Sequence, residues 1–382
     1  MKQPFSLSLS LPLLIALMMF PQVVETIYSP ALIDIADQFK VSENLAGQTL
    51  SLYFLSFAVG IVVWGYAIDR FGRRGTMITA LMIYFVATLG ALISSDFTQL
   101  LFWRMLMAFS AAIGSIGTQT VIRDRLSGVA LQQLFSTMGI ALAVSPILGL
   151  FLGVIFVSLA GYQGVFLFLM LLAIILIAWV IRSLPETKPA EMVRVSFIET
   201  FKMMIFDLAI WRDALLIAGF NITLFAYYQL APFLFEAQGL SALFGVSGIA
   251  LGIGAFLGAY LNRYWIKKYH WSAAKLLQIA AGLLLLSTTL LFCIEHQWFF
   301  FLPMIGVTMA YSIAIPNILT DALNNYRDRL GSAGALLGLL YYILIGLALI
   351  FVADSGNLGG SLIVVSLSIL VMIGISTFLS SR

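Results

Sequence analysis

The chain has 382 residues, of which 62% are hydrophobic and only 10% charged, with 20 basic and 17 acidic residues giving a net charge of +3. A soluble domain carries about 25% charged residues, so this composition excludes an ordinary water-soluble globule and makes lipid the natural solvent. The single Cys293 excludes intramolecular disulfides and a cysteine metal cluster, and no basic region of nucleic-acid-binding size is present.

A membrane span needs about 20 mostly apolar residues. Twelve such runs follow one another near 9–30, 47–68, 76–94, 98–120, 131–158, 163–182, 212–235, 243–264, 273–294, 297–319, 332–352 and 359–380. Lys2 followed by an apolar run imitates a signal peptide. The run reaches Tyr28 without a small-residue cleavage site, so it is expected to be a retained first span. "LAGYQG" makes a very short turn between spans five and six. The runs are too long and continuous for an outer-membrane barrel. With an even span number both termini share a side. If that side is cytoplasmic, every basic residue falls inside except Lys40, which is outside, and Arg104, which is within span four. This is the asymmetry of the positive-inside rule. The expected architecture is all-α, with a six-helix bundle over 1–184, a cytoplasmic linker over 185–211 and a second six-helix bundle over 212–382. Within the linker, Val195 to Ile210 has the pattern of an amphipathic interfacial helix.

The stretch "GYAIDRFGRRG", Gly65 to Gly75, closes span two with Asp69, Arg70, Arg73 and Arg74 close together. A shorter echo, "GAYLNRYWIKK" from Gly258, closes span two of the second half, pairing Gly65 with Gly258, Asp69 with Asn262 and Arg70 with Arg263. Parallel repeats of this kind are one transporter plan. Gly65 and Asp69, four apart, share a helix face. Asp69 lies at a helix end where the dipole disfavours an anion, so it needs a basic partner. Gly72 permits a tight turn, and Gly65 permits a close helix approach. Two readings stand for the stretch: a topology-setting turn, or a latch whose charges pair in one conformation and open in another.

Here the sequence resembles the major facilitator superfamily, whose loop motif Gly-x-x-x-Asp-Arg-x-Gly-Arg-Arg is matched by Gly65, Asp69, Arg70, Gly72, Arg73 and Arg74. The resemblance extends over about residues 9–380 and implies two parallel six-helix bundles. It also implies that the stretch stabilises an outward-facing state by contacts between the halves. Within the family the chain is similar to the Bcr/CflA-type drug–proton antiporters, through "IYSPALIDIADQF" after span one, "VIRD" at Val121 to Asp124, "SPILG" at Ser145 to Gly149, "LPET" at Leu184 to Thr187 and "APFLFE" from Ala231. It departs from that group at Ser145 and Leu150 of the span-five motif, at Thr26 in place of an aspartate, and at Met107 and Ser110 of span four.

Two ionisable residues stand inside spans: Glu25 and Arg104. At about 1.5 Å rise per residue both lie on the order of 5–10 Å below the outer boundary, so their depths match if the helices are neighbours, as the resemblance implies for spans one and four. A buried charge is costly, and burial and a neighbouring arginine act oppositely on a carboxylate's proton affinity. Glu25 is the expected proton carrier, with Arg104 as counter-charge and Asp34 as a secondary candidate. Against this stand a snorkelling Glu25 and an Arg104 that only binds backbone carbonyls. Asp37 and Glu236 read as wetted acids, and Arg123 with Asp124 as a cytoplasmic end pair.

By the same resemblance, spans one, four, seven and ten line a central cavity. Its candidate lining is Gln22, Met107, Met138, Asn221, Tyr227, Tyr228, Gln229, Tyr311, Asn317 and Tyr341, with Tyr342 beside the last. Aromatic rings with polar handles and soft methionines suit an amphipathic organic molecule, although ordinary helix packing would use the same residues. Pro146 and Gly149 are expected to bend span five and Pro316 span ten, which would serve alternating access. Trp298 to Phe301 read as an aromatic belt opening span ten.

No nucleotide-binding loop, zinc-protease motif or serine nucleophile elbow is present. The sequence therefore reads as a transporter without cofactor or metal rather than an enzyme. The expected role is export of amphipathic organic compounds or drugs in exchange for protons across the bacterial inner membrane, by a monomer with no nucleic-acid partner. The alternative is a dedicated exporter of a native metabolite such as a siderophore or amino acid. Uniport, proton symport and a flux-free sensor are the remaining readings.

Overall fold

The computed structural model describes residues 7–126, 128–189 and 197–380, which form helices and turns with no strand among them. The helices are α1 (Leu7–Ile27), α2 (Leu32–Phe39), α3 (Glu43–Phe71), α4 (Arg73–Leu92), α5 (Phe97–Arg125), α6 (Gly128–Ser183), α7 (Phe197–Ile205), α8 (Leu208–Ala237), α9 (Ser241–Tyr269), α10 (Ala273–Ile294), α11 (Met304–Ala322), α12 (Leu330–Ser355) and α13 (Leu358–Ser380). Local chemistry sets several ends. Ser42, Asp96, Asp207 and Ser272 each accept a backbone N–H at a helix start, from Leu45, Gln99, Ala209 and Lys275 respectively, which satisfies donors the helix itself cannot.

Ten helical stretches among the described residues are long and apolar enough to cross a membrane. One of them, within α6, is two spans: Ala160 (φ −152°, ψ 27°) and Gly161 (φ 60°, ψ −159°) leave helical geometry and turn the chain back, at the "LAGYQG" turn. α11, with Pro316, Asn317 and Asp321, is polar enough to stand apart from the ten, and with it the long helices make twelve spans. The tenth begins later than expected: Pro303 precedes the helix, and the aromatic run Trp298–Phe301 forms turns. Within α6 only Ala160 and Gly161 leave helical φ/ψ, so the helix runs on through Pro146. Of the linker, residues 190–196 lie outside the described residues, as do Lys2 and Arg382. The amphipathic helix expected from Val195 is described as Phe197–Ile205, and the next span starts at Leu208, four residues ahead of the expected boundary at 212.

In the first half α1 packs on α5 and α6, α5 on α3 and α4, and α4 on α6. In the second, α11 packs on α9 and α10, α10 on α13, and α8 on α12, α13 and α11. The halves meet along two seams, α3 against α12 and α6 against α9. Small residues bring the backbones together. A Cβ on Gly60 would run into the Phe109 carbonyl of α5, whereas one on Gly65 would make only ordinary contact with Ile116 at 3.4 Å. The close approach of α3 to α5 is therefore made at Gly60, not at the motif glycine Gly65. In the second half Gly258, the counterpart of Gly65, does fill that role against Met309 of α11.

Candidate functional site

At one end of the first half, the α3–α4 turn is wired to the ends of α5 and α6. Gly72 adopts φ 99°, and a Cβ there would lie 2.6 Å from the Glu186 carboxylate. Glu186 sits over the start of α4 and accepts the backbone N–H groups of Arg73 (2.9 Å) and Arg74 (3.2 Å), and those of Thr187 and Lys188 as well. The Arg73 side chain, 2% exposed, donates from Nε to Asp124 Oδ2 (2.7 Å), from Nη2 to Asp124 Oδ1 (3.2 Å) and from Nη1 to the Ile68 carbonyl, and also pairs with Asp69 at 3.3 Å. Thr187 donates to Asp124, Arg74 to the Ile181 carbonyl, and Lys188 to the Arg70 carbonyl. Arg70 donates to Tyr66. Asp69 thus has the basic partner it was expected to need, and Asp124 is held by Arg73 across helices. All these contacts lie within the first half and the start of the linker.

Burial pushes the Glu186 carboxyl up, but four backbone N–H groups, of Arg73, Lys188, Arg74 and Thr187, outweigh it and hold the group below the usual carboxylate range. A carboxyl lowered by folding stabilises the fold at neutral pH and stops doing so as pH falls through its folded value. Replacing Glu186 with alanine is expected to cost about 1 kcal/mol, the worth of a helix cap. Thermal midpoints of the two proteins should differ at pH 7 and converge as pH drops below the ordinary glutamate value of about 4.3.

Deeper in the first half, Arg104 of α5 is fully buried. Its guanidinium lies over the rings of Tyr28 (3.9 Å) and Tyr53 (4.4 Å), and Nη2 donates to the Val24 carbonyl at 3.3 Å. Nε and Nη1 have no hydrogen-bond partner. Glu25 of α1 is 4% exposed, and the Arg104 charge acts on it. The two form no ion pair among the described residues. The cation is held instead between two aromatic faces, an arrangement worth about 2 kcal/mol when desolvated. Next to Glu25, Thr26 donates to the Gln22 carbonyl, while the Gln22 side-chain oxygen is unpartnered. Gly149 of α6 makes room for Thr26, where a Cβ would overlap its hydroxyl, so this glycine serves close packing of α6 on α1. Asp34 lies elsewhere: it accepts the Tyr162 backbone N–H at 3.0 Å, just past the α6 turn. Met107 and Met138 are buried.

From Arg104 a run of aromatic rings crosses to the second half. Tyr53 stacks on Phe57 (6.1 Å), Phe57 meets Tyr342 (4.8 Å), and Tyr342 meets Tyr341 (4.5 Å). Phe54 touches Phe225 of α8 at 4.2 Å and Tyr342 at 6.1 Å. Asn221 accepts from Tyr311 at 3.3 Å. Tyr227 turns away to donate to Ser247 at 2.6 Å, and Asn317 donates to Asn262, joining α11 to α9. Among the expected cavity residues, then, Asn221 and Tyr311 pair between α8 and α11, Tyr341 packs on Tyr342 of its own helix, and Tyr227 and Asn317 tie helices of the second half together. Phe54, Phe57 and Phe225 were not singled out in the sequence. The only signal for Phe54 and Phe57 was the i, i+3 spacing of aromatics on α3, shared with many apolar helices, and Phe225 of α8 had none.

Gln229 bridges the halves: its Nε2 donates to the Gly47 carbonyl (2.8 Å) and to Ser51 (3.0 Å). Nearby, Ser29 donates to the Tyr228 carbonyl. At the end of the same seam Gln48 donates to Asp354 at 2.9 Å, and Asn44 to the Asp354 carbonyl at 3.4 Å.

Known proteins share this fold. The family model of the Major Facilitator Superfamily matches residues 14–349. An uncharacterized transporter of Rickettsia bellii is 28% identical over 349 residues, covering 87% of this chain and 86% of the relative. Multidrug resistance protein D of Escherichia coli is 24% identical over 336 residues, covering 85% and 84%. The solved structure of a D-xylose–proton symporter overlays with a TM-score of 0.76 at 14% identity, over 95% of this chain and 97% of that one. Twelve long helices in two packed halves and a family match over most of the length lead to one conclusion: the chain belongs to the major facilitator superfamily and is a membrane transporter, not an enzyme.

Proposed function

We propose that this transporter exports amphipathic organic compounds, drugs among them, in exchange for protons across the bacterial cytoplasmic membrane. The observation that carries this reading is Glu25, buried, within the field of Arg104, and with no hydrogen-bond or ion-pair partner among the described residues. A carboxylate left so is costly to keep charged. Its proton therefore comes and goes with small changes in hydration or in the position of Arg104. In this reading Arg104 is the fixed counter-charge and Asp34 a structural acid at the α6 turn. The seam aromatics Tyr341, Phe54 and Phe57, with Asn221 and Tyr311, offer the substrate apolar surface with a few polar handles. The Escherichia coli relative's name as a multidrug resistance protein agrees with this substrate class.

Alternating access supplies the rest. The basic end bearing Arg73 and Glu186 is cytoplasmic by charge bias, and the end where Gln48 and Asn44 meet Asp354 is external. The two bundles, the first ending near residue 184 and the second beginning with α8 at Leu208, rock as two bodies within a monomer, joined by the linker between them, with the present arrangement bonded shut at the external end. In proteoliposomes with a pH gradient, adding lipophilic drugs should move protons in step with substrate. Substrate flux that is indifferent to the gradient would defeat proton coupling. Arg104 also favours a second reading, since its unpartnered Nε and Nη1 suit a native metabolite with an anionic oxygen. A proton signal confined to such metabolites would select it.

A further inference from the structure

The two halves treat the same turn differently. In the first, the cations after α3 are taken up internally, Arg73 by Asp69 and Asp124 and Arg74 by the Ile181 carbonyl, and Lys188 of the linker reaches back to the Arg70 carbonyl. In the second, the repeat-related turn from α9 to α10 carries Arg263, Lys267, Lys268, His270 and Lys275, all exposed, and the chain has no acidic residue between Glu236 and Glu295. None of these cations forms an ion pair among the described residues. The acids near the start of α10, Asp213 and Asp321, line a cleft with Ala273 and Ala274. Asp213 is taken by Arg212 at 2.7 Å, and the lysines of the turn are not part of that cleft.

Aromatic rings hold two of these cations, Lys268 and Lys275, in place. Trp265 packs on Trp271 (5.2 Å), which stacks on Tyr269 (5.5 Å), which meets Tyr264 (5.9 Å). Lys275 Nζ lies 4.0 Å from the Trp271 ring centre, and Lys268 Nζ donates to the Tyr264 hydroxyl at 2.5 Å. His270 takes a left-handed conformation (φ 52°) that ends α9, and Ser272 then caps α10, so a short ordered turn presents the whole cluster. Tryptophan and tyrosine settle at the depth of lipid headgroups, which sets the lysines level with phosphates.

We propose that the α9–α10 turn is a binding site for the headgroup of an anionic phospholipid, with Lys267, Lys268 and Lys275 as its phosphate contacts and the Trp271–Tyr269 stack as its floor. Charge complementarity selects the occupant: three cations with no acidic partner among the described residues, two of them seated on aromatic rings at the membrane surface, with no acid in the segment to compete. The site stands apart from the transport pathway and from the exchange reaction proposed above.

Native mass spectrometry of the whole protein from micelles holding equimolar dioleoyl phosphatidylglycerol and phosphatidylcholine tests this. The unmodified protein should retain phosphatidylglycerol preferentially. A Lys267→Gln, Lys268→Gln, Lys275→Gln variant should lose that preference by about fivefold per lysine, and the corresponding triple arginine variant should keep it. The same Gln variant folded, monodisperse and still selecting phosphatidylglycerol would overturn the proposal. So would loss of selection in the arginine variant, or displacement of the lipid by millimolar inorganic phosphate, which would mark a site for free anions.

Discussion

Replacing Glu25 with glutamine should abolish proton-driven transport in everted vesicles while leaving substrate binding intact. Glutamine keeps the volume and hydrogen-bonding capacity of the buried side chain but cannot exchange a proton. Because Glu25 makes no ion pair with Arg104 and no described hydrogen bond, the substitution removes no structural partner. Folding should therefore survive, and any loss belongs to coupling. The variant should still bind drug, as read by quenching of intrinsic fluorescence, and should still exchange labelled substrate across the membrane without a gradient. Unchanged gradient-driven uptake would take Glu25 out of the mechanism. Loss of binding as well would move it from proton carrier to substrate contact.

Replacing Arg73 with alanine should cost about 3 kcal/mol of stability, because removing one partner of a buried pair strands the other charge. Arg73 is 2% exposed and meets two carboxylates and a backbone carbonyl. Asp124 retains the Thr187 hydroxyl and Asp69 reaches solvent, which places the effect at the low end of the range for buried pairs. Thermal unfolding in detergent would read it as a lowered midpoint. Adding Asp124→Ala should restore part of the loss, since the double change leaves less buried charge unpaired. A double variant as weak as the sum of its parts would mean that the two side chains act independently.

Much of the fold could be read in the sequence because it rests on local rules. Apolar runs end where charge, Pro or Gly begins, and eleven of the twelve spans lie close to their expected bounds. The exception, α11, was drawn too early because Trp298–Phe301 is as apolar as a span, whereas Pro303 decides where the helix can begin. The site was legible residue by residue but not pair by pair. Glu25 and Arg104 stand out as charges in apolar runs, yet Arg104 meets Tyr28, just past the end of α1, and Tyr53 on α3, rings whose placement about the helix axes no local pattern reports. Arg73 finds Asp124 and Glu186 at 51 and 113 positions' remove. The motif drew attention to Gly65, while the tight crossing of α3 and α5 falls at Gly60.

The two seams between the halves are chemically unlike. Along α6 and α9, Ile147, Leu150 and Val154 rest on Gly252, Gly248 and Gly245: alkyl groups over bare backbone, with no directional bond among the described residues to break when one surface travels over the other. That face works as a greased bearing. Resistance to motion is then concentrated in the few fastenings at the far side, where Gln229 grips Gly47 and Ser51 and where Gln48 grips Asp354. In the rocking motion proposed above, the stiffness is lopsided, and the pace is set by a handful of amide and hydroxyl groups rather than by the whole area over which the halves touch.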